Sequence, residues 1–197
     1  MTRDQVYKLI EEFHVPKHIR RHCEQVAKVC EFLGRKLPHK INLESLIQAA
    51  LLHDLLRVCD VTIWNPEGFP DQHHEDSHDK WHELRCTHEG KDHEDAAHEV
   101  LVERGEHCLA ELVKSHRFEN ILNKHPFKNW EEKILYYADK RVDHDKIVPL
   151  QERLERGKKR NAVTPEQIAI SDKAFAKIYE LEREICTACG IKPEDIR

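Results

Sequence analysis

Apolar positions in this chain recur mostly at three- and four-residue intervals, the spacing of a helix that buries one face. Thr2 and Gln5 stand at capping-box spacing, and Val6, Leu9, Ile10 and Phe13 follow on one side, which predicts a short first helix. Pro16 suits the first turn of a second helix, whose stripe runs Ile19, Cys23, Val26, Ala27, Cys30, Leu33 and Leu37 before Pro38. Asn42 can cap a third, through LESLIQAALLHDLLRV. This segment is apolar on most sides, so it belongs at the centre of a bundle. Further helices are predicted from Asp92 to Arg104 (ended by Gly105), from His107 to Phe118, and from Trp130 to about Asp145 after an Asn129 cap. Two more run from Pro149 to Arg160 and from Thr164-Pro165 to about Cys189, before Gly190. Few β-branched runs interrupt this pattern, so the expected fold class is all-α, a helical bundle.

The stretch from 60 to 92 breaks the period. It holds Pro66, Gly68, Pro70 and Gly90, and it interleaves acids with His73, His74, His78, His82 and His88. That is too long for an ordinary connection. We read it as an excursion with a short helix near Lys80 to Leu84: a solvated polar loop, with a lid or a metal-binding patch as alternatives. The expected organisation is one domain over 1–197, with a core at about 16–146, the insertion at about 60–92 and C-terminal helices at about 149–190.

Composition narrows the function classes. Acids outnumber bases 37 to 32, giving a net charge of −5, which argues against a nucleic-acid partner gripped by bulk charge. No apolar run reaches the roughly 18 residues of a membrane span, and MTRDQVYKLI lacks an apolar signal core. A cytoplasmic location and seven reduced cysteines are therefore expected. Cys186 and Cys189 form a lone CxxC, read as structural thiols on the last helix. The basic end of the Pro149–Arg160 helix is read as a favourable pairing with the helix dipole. A homodimer through the last helix is a further expectation.

The sixteen histidines are the unusual feature. His53 and Asp54 sit inside the most apolar segment, where titratable groups need partners or a metal. Adjacent helical residues diverge by about 100°, so both reach one site only at a helix junction. His22, His93, His116 and Asp139 each lie on or beside the apolar stripe of a separate helix, where a polar group again needs a partner. Histidine with carboxylate suits divalent iron, manganese or zinc.

This ordered set resembles the HD-domain superfamily of metal-dependent phosphohydrolases. His22 in IRRHCEQVAKVC, His53-Asp54 in AALLHDLLRV and Asp139 in YYADKRVDHDK match the H…HD…D signature; His93 in HEDAAHEVL and His116 in KSH match the two further histidines of dinuclear members. The resemblance implies two divalent ions (iron, manganese or cobalt, with zinc, nickel and magnesium open). It implies that Asp54, the candidate catalytic residue, bridges them, with His22, His53 and Asp139 on one ion and His93 and His116 on the other. The mononuclear alternative holds one ion on His22, His53, Asp54 and Asp139 and leaves His93 and His116 for phosphate contact or proton transfer. A metal-activated water would then attack a small phosphorylated substrate, a nucleotide or similar metabolite. Relatives with six ligands include diiron oxygenases, and a non-catalytic sensor is a third reading. The familiar HDIG is here HDLLR, with Arg57 where a lysine often stands. His116 is followed by Arg117, so the double histidine of cyclic-dinucleotide phosphodiesterases is absent. Arg57, Lys140 and Arg141 are the expected phosphate contacts; a solvated face or a salt bridge (to Asp143 or Asp145 for the last two) is the alternative for all three.

Overall fold

A computed structural model describes residues 1–60 and 75–197 of the chain. The described elements are α1 (Arg3–Glu12), α2 (Lys17–Lys36), α3 (Leu43–Leu52), α4 (Glu75–Thr87), α5 (His93–Glu103), α6 (His107–Lys114), α7 (Trp130–Asp139), the strands β1 (Val142–Asp143) and β2 (Lys146–Ile147), α8 (Leu150–Asn161) and α9 (Pro165–Cys189). The fold is all-α apart from that two-stranded hairpin. Among the described residues no helix is long and apolar enough to cross a membrane.

Local chemistry sets most helix starts. Thr2 and Gln5 form both halves of a capping box on α1, and Thr164 and Gln167 do the same on α9. The Asn42 and Asn129 side chains accept from the Ser45 and Glu132 amides at the third position of α3 and α7. Gly190 closes α9 at φ 64°, a left-handed position that costs a glycine little.

The core is one cluster built around α3, which packs on α2, α6 and α7, while α5 lies along α6 and α9 covers α7. Leu33, Leu46, Leu52, Leu55, Leu56 and Leu101 are fully buried in it. At Gly34 a Cβ would stand 2.6 Å from Leu43 Cδ1, so the glycine permits the close approach of α2 to the start of α3. Tyr136 and Tyr137 are buried, and their hydroxyls donate to Phe118 O and to Glu182 Oε1. Cys186 and Cys189 are buried on α9, and the Cys189 thiol donates to Leu33 O.

Several boundaries differ from the sequence reading, and the differences shape the site. The central helix ends at Leu52, before His53-Asp54. The chain tightens there into i→i−3 turns, with Leu55 N bonded to Leu52 O and Arg57 N to Asp54 O, and continues as a 3₁₀ turn over Arg57–Asp60. α6 ends at Lys114, not Phe118, and α7 ends at Asp139, not near Asp145. Beyond α7 the chain turns back on itself as the hairpin, with Val142 opposite Ile147 and Asp143 opposite Lys146. α4 is longer than the short helix expected near Lys80 to Leu84. It buries Trp81 and Leu84, and the Trp81 indole donates to His14 O. His78 and His82 of the proposed patch are exposed, and His88 is paired with Glu99 at 3.3 Å. Asp71, His73 and His74 lie outside the described residues.

Candidate metal centre

Five helices deliver the six candidate ligands to one place. His22 projects from the second turn of α2, His53 is the C-cap of α3, and Asp54 follows in the tight turn. His93 is the first residue of α5, His116 lies just past α6, and Asp139 is the last residue of α7. Three helix C-termini, those of α3, α6 and α7, thus meet in the same region. Their partial negative charge favours a cation there.

The ligand atoms fall into two groups that share Asp54. One nitrogen each of His22 and His53 and an oxygen of Asp54 lie within 4.8 Å of one another, and so do atoms of Asp54, His93 and His116. Asp139 Oδ1 joins the first group, 3.1 Å from His22 Nε2 and 3.7 Å from His53 Nε2. In the second, His93 Nε2 is 3.1 Å from both Asp54 Oδ1 and His116 Nε2.

The other ring nitrogens are already committed. His22 Nδ1 donates to His144 O at 2.8 Å, His53 Nδ1 to Ala50 O at 2.8 Å, and His116 Nδ1 to Val113 O at 2.5 Å. His93 Nδ1 sits 2.6 Å from Asp60 Oδ2. Each bond favours a proton on Nδ1 and turns Nε2 inward. Four imidazole Nε2 atoms and two carboxylates then converge, and among the described residues the buried His53 Nε2 has no hydrogen-bond partner. Nitrogen and carboxylate donors gathered this closely fit divalent cations.

Burial lowers the His53 pKa, but Cys23, Asp54 and the Asp139 bond prevail and raise it well above the ordinary imidazole value, so a cation bound there would take the place of a proton. Burial raises the Asp54 carboxyl, but the charges of His53 and Arg57 and the His93 bond outweigh it and hold its pKa well below the usual range. Asp139 behaves alike, through Lys140 and its bonds to His22 and His53. Both are carboxylates at neutral pH. Burial and the neighbouring His53 and His93 push His116 well below the ordinary imidazole value, so it is neutral. At His93 burial lowers the pKa, but the bonds to Asp54 and Asp60 prevail and hold it up, to about 9.

Of the three cations named as phosphate contacts, two line the open cleft above these groups. Arg57 Nη1 stands 3.1 Å from His93 Nδ1 and 3.3 Å from Asp60 Oδ2. Lys140 is buried, with Nζ 2.5 Å from Asp139 Oδ2 and 4.7 Å from the centre of the Tyr136 ring. Arg141 points elsewhere. Its guanidinium bonds Val148 O, the Tyr137 hydroxyl and Pro193 O, so it ties α7 to the hairpin and the C-terminal turn. The expected phosphate contact at Arg141 is corrected to a structural one.

Sequence reasoning missed three contributors. Asp60 orients His93; nothing but its nearness to Arg57 marks it. His144 presents its carbonyl to His22 from a φ of 56°, a strained setting for a non-glycine residue in a two-residue hairpin turn. Glu94, buried beside His93 with Oε2 3.2 Å from Nδ1, lines the cleft, and burial raises its pKa.

No curated protein and no solved structure matches the chain. A family model does: the HD domain aligns over residues 19–172. The match runs past the hairpin, through α8 and into α9, so the family unit extends beyond the 16–146 core drawn from sequence. With two His/Asp groups able to hold metal and an all-α frame around them, the chain belongs to the HD-domain family of metal-dependent hydrolases.

Proposed function

We propose that the protein is a metal-dependent phosphohydrolase that cleaves a phosphate ester of a nucleotide or another small phosphorylated metabolite. The observation that carries this reading is the pair of ligand groups sharing Asp54, each with its histidine tautomers fixed from behind. Divalent ions held there supply Lewis acidity to a phosphoryl oxygen and bring the pKa of water to about 7. The chain's own residues do the rest. Asp54, fully charged at neutral pH, lies between the groups and offers one oxygen toward each. Arg57, braced by Asp60, turns N–H donors to the cleft where phosphoryl oxygens would lie. Lys140 balances the charge of Asp139 from inside the protein. Phe118 and Ile19 line the cleft and limit water there.

The test is elemental mass spectrometry of untagged protein beside His53→Ala and Asp54→Ala, with phosphate release from a nucleotide panel measured in air and without oxygen. Roughly two ions per chain are expected, about half lost in His53→Ala and nearly all in Asp54→Ala, because Asp54 serves both groups. Phosphate release should follow the metal and ignore oxygen. Metal content unchanged in both variants would refute the site; a product formed only with oxygen would refute the hydrolase.

A further inference from the structure

The cleft above the ligand groups holds about 390 Å³, and its far wall comes from α8 and the first half of α9. That wall carries Arg153, Lys158 and Arg160, interleaved with Leu154, Ile170 and Phe175. Cations in this cleft are paired one by one. Arg57 meets Asp60, Lys140 meets Asp139, and Lys158 meets Asp172. Arg153 donates to Val142 O at 2.8 Å and lies 3.8 Å from Asp143 Oδ1.

Arg160 is the exception. Among the described residues no carboxylate lies within ion-pair distance of it and no group accepts from its guanidinium, although acids exceed bases in the chain. Arg57, Arg153 and Asp143 line the same cleft. Partial burial and the like charges of Arg153 and Arg57 lower the Arg160 pKa against an opposing pull from Asp143, a carboxylate already held by Arg153 and Arg156. The helix dipole explains basic residues in the last turn of α8, and Lys159 satisfies it from outside the cleft. It does not explain a guanidinium turned into the cleft beside two others. Three like charges around one space, one of them with no carboxylate at ion-pair distance among the described residues, are stabilised against mutual repulsion when an anion enters.

We propose that this wall is a second anion subsite, centred on Arg160 and backed by Arg153, so that the substrate is a phosphate ester whose organic body bears another anionic group. The inference rests on the hydrolase reading, which places the scissile phosphate at the ligand groups. The organic body lies between the two ends, against Leu154, Ile170 and Phe175. Ile170, 43 % exposed, presents its apolar side chain to the cleft. A single-anion ester would leave Arg160 without a partner.

Calorimetric titration with phosphonates reads the subsite without turnover, because the C–P bond is not an ester. Straight-chain alkylphosphonates are compared with α,ω-bisphosphonates and ω-phosphonocarboxylates of three to six carbons. In the native protein at least one two-headed ligand should bind about tenfold tighter than its one-headed partner, the worth of one charge-assisted pair. Arg160→Ala should abolish that gain, Arg160→Glu reverse it, and Arg160→Lys retain part of it. None should alter one-headed binding more than about twofold, since Arg160 is exposed and makes no internal bond. A gain confined to the bisphosphonates assigns a phosphate to the subsite; one shared with the phosphonocarboxylates assigns an anion of either kind. No gain at any length, or a gain that survives Arg160→Ala, overturns the subsite. Failure of the hydrolase reading appears separately, as absent phosphate release in the nucleotide assay.

Discussion

His93 and Asp60 are joined twice: the imidazole Nδ1 stands 2.6 Å from Asp60 Oδ2, and the backbone amide of His93 donates to Oδ1 at 2.9 Å. One carboxylate thereby fixes both the ring and the first residue of α5. Arg57 braces the same carboxylate, so the turn after Asp54 and the start of α5 are locked to each other.

Asp60 is therefore a positioning residue for the second ligand group. Asp60→Ala should weaken the ion held by Asp54, His93 and His116 by about 10- to 100-fold in chelator competition, the usual scale for a partner behind a ligating histidine. Asp60→Asn keeps an acceptor for the amide and loses the charge, so its loss should be smaller. The ion in the His22 group should stay put. Equal affinities in all three proteins at the second group would show that Asp60 only seals the helix end.

Much of this was legible in advance because the signals are local. Thr2, Asn42, Asn129 and Thr164 announce helix starts by their own hydrogen bonding, and Gly190 announces an end by its φ. The histidines betrayed themselves by standing on apolar stripes. What was hidden depends on contacts far along the chain. The run LLHDLLRV holds no glycine or proline, and α3 stops there because His53 and Asp54 turn into the ligand groups. The hairpin after α7 uses His144-Asp145 where glycine or asparagine would have signalled a turn. α4 owes its length to Trp81 and Leu84, two apolar residues among acids: Trp81 bonds His14 O just past α1, and Leu84 lies beside Cys59 in the 57–60 turn. Arg160 reaches the cleft across more than a hundred residues of sequence from Asp54, which no local pattern encodes.

Asp95 gives a pH-dependent test of how α5 and α6 hold together. It accepts from Lys114 and Arg117, and these bonds, the lysine's first, lower its pKa to about 2 from an ordinary 3.8. A depressed folded-state value means stability that is full above about pH 4 and vanishes as the pH falls toward 2. The side chain is 36 % exposed, so solvent screening limits the contribution to about 0.5–1 kcal/mol. Urea titration should show Asp95→Asn less stable than the native protein by that amount at pH 7, with the gap narrowing below about pH 4 and closing only as the pH falls through about 2. A gap that persists in acid would mean that the residue acts through packing and not charge.

Arg141 separates a structural arginine from a substrate contact. It is 4 % exposed, and its three bonds run to Tyr137, Val148 and Pro193. Truncation to alanine would leave two carbonyls poorly satisfied and deprive the Glu182 carboxylate, 3.6 Å away, of its cation, at about 1–3 kcal/mol for each group that water cannot reach. Arg141→Ala should therefore lower the midpoint of thermal unfolding by several degrees, and Arg141→Lys should recover little, because an ammonium cannot span the three acceptors of a planar fork. Per folded molecule, kcat and KM for phosphate esters should match the native protein. Arg57→Ala should do the opposite, raising KM with little change in unfolding, since its guanidinium is half-exposed in the cleft. If Arg141→Ala raised KM at unchanged stability, the guanidinium would have to leave its three partners when substrate binds.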